Sequence, residues 1–300
     1  MSKKIALVTG AAGFIGSNMT DLLLKKGYKV RAIDNLSVGS KKNFTHNLKN
    51  KNFKFKKIDL LKINQGENFF KNIDYVFHFA GLTEVMPSFK NPQKYIYNNF
   101  IGTVKLLEAA RKAKINKFVY AASASCYGVS NKKVKETDLI QNEHPYALSK
   151  YLGEMATFHW HKVFGLPINS MRIFNAYGLR NKSKGAYSSV IGIFLRQRKE
   201  KKPLTIVGSG NQSRDFVNVK DVCEAFLKAA TSKFSGRIYN IGTSKCLKIN
   251  EVAGFISNKK TKLPHRKNEA LNSNSDISRI KRELNWYPKI LFKEGIKDLL

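Results

Sequence analysis

The sequence predicts an α/β protein with a doubly wound parallel sheet, followed by a smaller C-terminal α/β lobe. Short apolar runs alternate with helical stretches through the first half of the chain, and a spaced series of glycines follows the first run. Repeated strand–helix units build parallel sheets, because each helix returns the chain to the edge where the next strand begins. After Phe174 the alternation weakens, and loops rich in Asn, Ser, Lys and Gly separate shorter elements. This change predicts the second lobe.

Each strand of the first half is a short run of apolar or alternating residues. The run at 5–8 is apolar throughout and ends before Gly10, which is typical of a strand buried on both faces of a parallel sheet. Two later runs end at acidic residues, Asp34 and Asp59. The predicted strands are 5–8, 29–33, 53–58, 75–77, 117–120 and 168–173.

Longer amphipathic stretches between the strands predict helices. One opens in the glycine series and ends at Gly27, a second covers 92–113, and a third covers 146–164. A helix at 221–230 is predicted to return to the first domain, so the domains are not clean halves of the chain. The predicted first domain is 1–173 with about 214–240, and the second is 174–213 with 241–300.

The bulk composition is that of a globular protein. The chain has 300 residues, of which 42% are hydrophobic, which is enough for one large domain or two closely joined ones. No apolar run approaches the ~20 residues that span a membrane, and no signal-peptide pattern precedes Ile5, so we expect a cytoplasmic protein. The cysteines, Cys126, Cys223 and Cys246, lack metal-ligand spacing, which predicts free thiols and no metal site.

The formal net charge of +33 raises the question of a nucleic-acid partner. The lysines, however, are spread along the whole chain, and the densest runs, at 54–57 and 199–202, are short. No nucleic-acid-binding motif accompanies them. We therefore favour solvated basic faces over a nucleic-acid site, with a general attraction for phosphorylated metabolites in either case.

The glycine series has the spacing of a phosphate-binding loop. Gly10, Gly13 and Gly16 directly follow a predicted strand and open a helix, which is the required context for a dinucleotide site. The first permits a tight turn, the second lets backbone N–H groups approach a pyrophosphate, and the third allows close helix–strand packing. The helix N-terminus adds partial positive charge. The first domain is therefore expected to be of the Rossmann type.

The cofactor expected in this loop is NAD. Asp34 ends the second strand about 20 residues beyond the glycines, where an acid accepts the ribose hydroxyls and repels a 2′-phosphate. The alternative for Asp34 is a turn former. His78 ends the fourth strand before Ala80 and Gly81, whose small size would let the cofactor pass, and we interpret His78 itself as a packed histidine.

A Tyr-x-x-x-Lys pair suggests acid–base chemistry. Tyr146 and Lys150 share one face of a predicted helix. A free tyrosine titrates near ~10, so a base working near neutral pH needs about 4 kcal/mol of preference for the phenolate, which a nearby ammonium and a positive nicotinamide could provide. Ser123 lies at the end of the fifth strand, beside the crevice where α/β sheets bind ligands. Together they predict a catalytic group.

With these motifs, the chain resembles the extended short-chain dehydrogenase/reductases, and within them the epimerases similar to UDP-glucose 4-epimerase. The similarity covers nearly the whole length. It is carried by VTGAAGFIGS, AIDNLSVG, HFAGLTEV, NNFIGTVKLLEAA, SASCYG, PYALSKYLGE, MRIFNAYGLR, PLTIVGSGNQSRDFVNVKDV, YNIGTS and ELNWYP.

The resemblance implies roles for particular residues. Ser123, Tyr146 and Lys150 match the catalytic triad. The implied NAD-binding residues are Gly10, Gly13, Phe14, Ile15, Gly16, Asp34, Asn35, Asp59, Leu60, Ala80, Gly81, Asn99, Tyr146 and Lys150. The implied substrate-binding residues are Thr83, Ser123, Asn175, Ser189, Val190, Thr205, Arg214, Arg266 and Ser273, with the two arginines expected on the UDP phosphates.

The implied reaction is 4-epimerisation of a UDP-hexose or UDP-N-acetylhexosamine through a transient 4-ketosugar, with tightly bound NAD⁺. The family's turn after the second arginine has lost its glycine here, as Arg266-Lys267-Asn268-Glu269. Ser273 falls at the family's sugar-pocket gate, where a small residue admits an N-acetyl group; the alternative is a polar surface-loop residue. The long helices starting at Pro92 and Tyr146 resemble the family's four-helix dimer interface.

Other activities stay open to different degrees. The 4,6-dehydratases carry Asp-Glu where this chain has Ala124-Ser125, so dehydration is disfavoured. Decarboxylases usually have a Glu near that point, which disfavours them also, while a UDP-uronic acid 4-epimerase remains open. From a different class, some relatives bind RNA or proteins without turnover; the net charge supports this alternative and the complete triad opposes it.

Overall fold

The fold is organised by one large parallel sheet. A computed structural model describes residues 3–63, 68–130, 132–181, 189–264 and 273–300. The strands are β1 (Ile5–Thr9), β2 (Lys29–Asp34), β3 (Phe53–Lys57), β4 (Tyr75–His78), β5 (Lys117–Ser123), β6 (Lys133–Val134), β7 (Ile168–Ile173), β8 (Asn175–Tyr177), β9 (Leu204–Val207), β10 (Ser213–Asn218), β11 (Arg237–Ile241), β12 (Cys246–Lys248), β13 (Lys260–Leu263) and β14 (Asn274–Ser275).

Helices cover both faces of this sheet and build the second lobe. They are α1 (Phe14–Lys25), α2 (Val85–Lys90), α3 (Pro92–Ile96), α4 (Gly102–Lys112), α5 (Pro145–Phe164), α6 (Val190–Lys199), α7 (Val219–Thr231), α8 (Ile249–Ile256), α9 (Ser278–Leu284) and α10 (Phe292–Lys297). No helix in the described ranges has the length and hydropathy to cross a membrane.

Seven parallel strands form the main sheet in the order β11-β7-β5-β4-β1-β2-β3. The chain moves outward from β1 to β3 and then returns to the other side of β1 with β4, so the strand order reverses between β1 and β4. Ligands of open parallel sheets bind at such a reversal, outside the carboxyl ends of the strands. This sheet confirms the predicted doubly wound fold.

The sheet is buried on both faces, which explains the apolar runs of its strands. On one side Met19 and Leu23 of α1 pack with Phe226 of α7. On the other side Leu106 and Leu107 of α4 pack with strand residues and with the helix α5. The two cores fix α1 and α5 against the carboxyl edge, and these are the helices that carry the predicted cofactor and catalytic residues.

The smaller lobe is built around its own core, with Phe194, Leu204 and Val252 fully buried. A three-stranded sheet, β12-β10-β8, and a parallel pair, β13-β9, provide its strands. The segment predicted to return to the first domain, about 214–240, includes most of β10 and β11. Strand β11 lies in the main sheet, whereas β10 lies in the three-stranded sheet. The predicted domain limits stay a prediction.

The predicted long helix from Pro92 is confirmed as one unbroken helical run that ends at Lys112, with a π-helical segment inside it. A π-helical segment, Tyr97–Ile101, separates α3 from α4, and α4 ends at Lys112. Asn99 lies in this segment, with its side chain hydrogen-bonded to a neighbouring loop instead of facing solvent. The extra residue in the turn re-aims that side chain, which is a common use of π-helical turns.

Candidate active site

The glycine loop forms a close-packed cradle at the start of α1. Gly10 has a φ of +65°, and a Cβ on it would lie 2.7 Å from the backbone nitrogen of Ala80. Gly16 packs directly on the Gly10 carbonyl. Gly13 caps α1 without any side-chain hydrogen bond, so the first N–H groups of the helix are available to a phosphate. The residues present therefore fit the pyrophosphate of a dinucleotide.

Asp34 lies against this cradle at the end of β2. Its Oδ2 accepts from the backbone N–H of Ala12 at 3.0 Å, and its Oδ1 accepts from Leu36 at 2.7 Å. Burial raises the pKa of Asp34, and these two hydrogen bonds oppose the shift. Each carboxylate oxygen can accept more than one hydrogen bond. Asp34 is therefore a turn former and still has lone pairs for ribose hydroxyls.

Asn35 and Asp59 meet beside Asp34. The amide of Asn35 donates to Asp59 Oδ2 at 3.3 Å, and Asp59 Oδ1 accepts from the backbone of Leu61 at 2.9 Å. Leu60 is buried directly after Asp59. These side chains follow the ends of β2 and β3, so the structure brings together the residues that the resemblance assigns to the adenosine half of NAD.

Asn99 holds the loop that follows β4. It accepts from the Leu82 N–H at 2.7 Å and donates to the Leu82 carbonyl at 2.9 Å and to Ser149 Oγ at 2.9 Å. A Cβ on Gly81, whose φ is +159°, would lie 2.8 Å from the Asn99 amide oxygen. Asn99 thus supports the loop rather than facing open solvent, and Thr83 at the end of that loop is exposed.

His78 is packed between strands and helices. Its two ring nitrogens lie 2.7 Å from Thr9 Oγ1 and 2.9 Å from Thr103 Oγ1. Burial, and then the charge of Lys150, lower the pKa of His78 well below its usual value. A neutral, doubly hydrogen-bonded ring agrees with the interpretation of His78 as a packed histidine.

Ser123, Tyr146 and Lys150 come together at the carboxyl edge of the sheet. Ser123 ends β5, and α5 presents Tyr146 and Lys150 one turn apart on its buried side. His144 caps α5, with its Nδ1 accepting from the Ala147 N–H at 3.1 Å. The Tyr146 ring packs edge-on to Tyr95, with centroids 6.4 Å apart. The predicted catalytic group is thus a spatial cluster beside the cradle.

Burial is the largest influence on the protonation of both helix residues. It raises the pKa of Tyr146, and a hydrogen bond with Ser123 opposes that shift. The Ser123 hydroxyl also donates to Ser125 Oγ at 3.0 Å. It lowers the pKa of Lys150 to about 7, opposed by the charge of Glu154. The Lys150 ammonium lies 4.4 Å from the centroid of the Tyr120 ring. Positive charge bound beside the pair would favour the phenolate.

The neighbouring strands β8 and β10 bring together two of the residues predicted to bind substrate. Asn175 begins β8, and its amide donates to the Asp215 carbonyl at 3.3 Å. Arg214 precedes Asp215, with its guanidinium donating to the Ser213 carbonyl at 2.9 Å. The Ser273 carbonyl accepts from the Asp215 N–H at 2.9 Å. Ser273 is half-buried beside Arg214 and is not an exposed loop residue.

The remaining predicted substrate residues lie on α6 and β9. Ser189 caps α6, accepting from Gly192 N–H at 3.2 Å, and Val190 begins that helix. Thr205 of β9 exchanges two hydrogen bonds with Gln197 of α6, at 2.9 and 3.1 Å. These hydrogen bonds join α6 to β9, and both elements share a hydrophobic core with Tyr177 of β8 and Phe216 of β10. Arg266 lies outside the described residues.

Sequence reasoning missed a buried acid next to Arg214. The Asp215 side chain is fully buried and accepts from Thr243, through its N–H at 2.7 Å and its hydroxyl at 2.6 Å, and from Ser244 and Ser275. These bonds join β10 to the segments before β12 and at β14. The available signal was an acid two residues before Val217, and therefore on the same face of β10 as that apolar residue.

Comparison with known proteins agrees with this geometry. The family model described as "NAD dependent epimerase/dehydratase family" matches residues 6–242. A putative UDP-glucose 4-epimerase of Methanocaldococcus jannaschii is 38% identical, over 98% of this chain and 96% of its own.

Two solved structures are similar over almost all of both chains. The UDP-N-acetylglucosamine 4-epimerase of Methanobrevibacter ruminantium M1, in complex with UDP-N-acetylmuramic acid, has a TM-score of 0.94 at 32% identity and covers 100% of this chain and 97% of its own. The UDP-glucuronic acid 4-epimerase of Bacillus cereus, in complex with UDP-glucuronic acid and NAD, has a TM-score of 0.90 at 31% identity and covers 98% and 96%. The glycine cradle, the clustered serine, tyrosine and lysine, and these similarities establish that the chain belongs to the NAD-dependent epimerase/dehydratase family.

Proposed function

We propose that this protein interconverts the C4 epimers of a UDP-hexose or UDP-N-acetylhexosamine, with NAD as a bound cofactor. The observation that carries the proposal is the burial of Ser123, Tyr146 and Lys150 as one cluster beside the glycine cradle. A proton acceptor next to a dinucleotide site is what oxidation of a secondary alcohol requires. Two of the relatives described above, a putative UDP-glucose 4-epimerase and a UDP-N-acetylglucosamine 4-epimerase, support the same substrate class by their names.

The residues around the cradle divide the work of holding the cofactor. The free N–H groups at the start of α1 would hold the pyrophosphate, and Asp34 would accept from the adenosine ribose. Asn99 holds the loop after β4, which would lie beside the nicotinamide half. Bound NAD⁺ supplies the acceptor, and afterwards the donor, of the hydride from C4 of the sugar. Lys150, held over the Tyr120 ring, is placed to keep positive charge near the tyrosine.

Tyr146 moves the proton of the sugar's C4 hydroxyl. As the C4–H bond breaks, the phenolate takes the O–H proton, and the carbon–oxygen bond becomes a carbonyl. The Ser123 hydroxyl donates a hydrogen bond to the same oxygen and positions it. Once the 4-ketosugar had turned about its phosphate linkage, C4 would take the hydride back from the reduced cofactor on its other face, and Tyr146 would return the proton to the oxygen. The sugar leaves as the C4 epimer, with no net change in oxidation state.

Arg214 and Asn175 are the proposed contacts to the nucleotide diphosphate. They lie on neighbouring strands, and a guanidinium binds phosphate oxygens with fixed geometry. Ser273, half-buried beside them, leaves more room than an aromatic side chain would. We therefore expect N-acetylhexosamines to be accepted along with hexoses.

The test is a panel of UDP-hexoses, UDP-N-acetylhexosamines and UDP-uronic acids incubated with the enzyme, with the products identified by NMR. Inversion at C4 of a neutral or N-acetylated sugar is the expected result. The similarity to a UDP-glucuronic acid 4-epimerase makes uronic acids the second candidate, and loss of carbon dioxide from them would reveal a decarboxylase. If the protein turned over none of these sugars, held no NAD and bound RNA in a salt-dependent way, the proposed enzyme activity would be rejected in favour of a non-catalytic binding protein.

We further propose that the protein is a homodimer, formed through a four-helix bundle of α5 and the α3–α4 stretch from two copies. Large apolar side chains are exposed on these helices in the single chain: Tyr97 at 58%, Leu148 at 41% and Met155 at 47%. Leu148 and Met155 are two turns apart and so share one face of α5. An apolar helix face of this kind is suited to a second copy.

A further inference from the structure

Arg172 of β7 is a buried cation with partners on two different elements. Its side chain is 3% exposed. Its Nη2 and Nε donate to Glu154 Oε1 at 2.6 and 3.1 Å, and its Nη1 donates to the Tyr127 hydroxyl at 2.9 Å. The guanidinium carbon also lies 4.8 Å from the centroid of the Tyr127 ring. A planar fork with fixed donor directions holds its partners at fixed relative positions.

The two partners belong to the two elements that carry the catalytic cluster. Glu154 lies on α5 one turn after Lys150 and two turns after Tyr146, so the three share the buried side of that helix. Tyr127 ends the 3-10 turn Ala124–Tyr127, which begins directly after Ser123. The separation of Tyr127 and Arg172 in sequence is 45 residues. One guanidinium thus joins the serine turn to the tyrosine–lysine helix.

Each partner is anchored from its other side. Glu154 Oε2 accepts from Ser170 Oγ at 2.7 Å, and the Tyr127 hydroxyl donates to Asn240 Oδ1 at 2.7 Å. The network leaves little freedom to either partner. Burying an ion pair seldom adds stability over a well-packed apolar pair, because desolvation offsets the attraction. A role beyond stability is therefore a reasonable use for this pair.

We propose that Arg172 is a positioning residue, whose guanidinium holds Ser123 and the Tyr146–Lys150 pair in one fixed arrangement through Tyr127 and Glu154. The Ser123 hydroxyl must reach the Tyr146 phenol and the substrate oxygen at once. A displacement of about 1 Å between reacting groups can lower a rate about 100-fold. The readouts that use turnover rest on the proposed function, whereas the structural readout below does not.

The first test is Tyr127→Phe, which removes one hydroxyl and leaves the Arg172–Glu154 pair intact. We expect kcat to fall about tenfold with KM and bound NAD little changed, because only the geometry of the reacting groups is affected. The acid limb of the kcat–pH profile should also move to higher pH, since a weaker hydrogen bond with Ser123 leaves the pKa of Tyr146 higher. The groups around that phenol are Ser123, Tyr95, Cys126, His144 and Lys150.

The matched control is Tyr75→Phe. Tyr75 is also buried, and its hydroxyl accepts from the Lys4 ammonium at 2.8 Å. It begins β4, at the end of the sheet opposite to the carboxyl edge where the catalytic cluster lies. The Tyr75→Phe variant should lose stability as Tyr127→Phe does, without a lower kcat. An equal loss of kcat in both variants would show a general structural effect and overturn the proposal, as would an unchanged kcat in Tyr127→Phe.

The second test is Arg172→Lys, which keeps the positive charge but removes the planar guanidinium and its fixed N–H donors. Backbone amide hydrogen exchange is measured in residues 123–128 and 146–150 of the wild type and both variants. Faster exchange in both segments, with exchange in the rest of the sheet unchanged, supports the positioning role of Arg172. Unchanged exchange in the two segments overturns it. If the wild type turned over no UDP-sugar, the proposed function would fail while this measurement still decided the role of Arg172.

Discussion

At the scale of single residues, burial pushes Tyr146 and Lys150 in the same direction, toward their neutral forms. The pKa of Tyr146 is raised, and that of Lys150 is lowered to about 7. Burial by itself therefore opposes a phenolate–ammonium pair. The charge that shifts the balance arrives with the cofactor, so binding and activation are expected to be coupled.

Replacing the phenol tests its role directly. Tyr146→Phe removes the proton acceptor and keeps the ring that packs against Tyr95. We expect kcat to fall about 100- to 10,000-fold, the usual range for a general acid–base group, with NAD still bound. Steady-state kinetics and the cofactor absorbance of the purified protein measure the two effects. Wild-type turnover in this variant would contradict the assignment.

Lys150 should leave a signature in the pH dependence of stability. Below about pH 7 it is protonated in the folded and unfolded protein, so the cost of burying an ammonium is fully present. Between about 7 and 10.5 only the unfolded chain binds that proton, so this contribution makes stability rise with pH. Each pKa unit corresponds to about 1.4 kcal/mol, so the total is several kcal/mol.

The matching measurement compares denaturant unfolding of cofactor-free wild type and Lys150→Met across pH. The variant should be more stable than the wild type below neutral pH, and the advantage should shrink as pH rises. Lys162→Met, on the exposed side of the same helix, is the control and should show no such trend. A difference between Lys150→Met and wild type that is constant with pH would refute the burial cost.

At the scale of elements, the turn between β1 and α1 carries the cofactor site, and its glycines are not equivalent to other glycines of the chain. Gly10→Ala would force alanine into a left-handed backbone and also drive a methyl group into the Ala80 backbone. Gly27, after α1, has a φ of +85°, but a methyl group added there would meet no atom within 4 Å. An alanine at Gly27 would suffer only backbone strain, whereas an alanine at Gly10 would suffer both strain and a steric clash. Comparing the two variants therefore distinguishes the two effects.

We expect Gly10→Ala to abolish NAD binding and lower the melting temperature strongly. Gly27→Ala should cost about 1–2 kcal/mol, the penalty of a left-handed alanine, and keep NAD. NAD content per protein chain and thermal unfolding measure both. Equal NAD content in the two variants would show that the cradle does not need the close approach at Gly10.

In the α3–α4 stretch, the sequence periodicity predicts part of the observed helix and misses another part. The spacing of Leu106, Leu107 and Ala110 correctly indicated a buried helix face. It did not indicate the π-helical turn at Tyr97–Ile101, because that turn is stabilised by the contacts of Asn99 with a loop 17 residues earlier. Periodicity describes one helix, whereas this interruption depends on a neighbour.

At the scale of the whole molecule, the proposed dimer is tested on α5. Leu148→Glu combined with Met155→Glu places two charges on the exposed apolar face, and burying them in an interface is costly. We expect a dimer for the wild type and a monomer for the double variant in light scattering after size exclusion. Leu139→Glu, at a residue 76% exposed outside these helices, should remain dimeric. A monomeric wild type would end the proposal.

The sequence by itself determined the parallel sheet, the glycine loop, the acid at the end of β2 and the helical pairing of Tyr146 with Lys150. All of these follow from spacings within one strand, one turn or one helix. Only the tertiary structure decided that Asp34 also braces the glycine loop, that Asp215 joins three segments, and that Arg172 links Tyr127 to Glu154. The physical reason is that these contacts depend on strand order and register, which bring together residues that no local pattern relates.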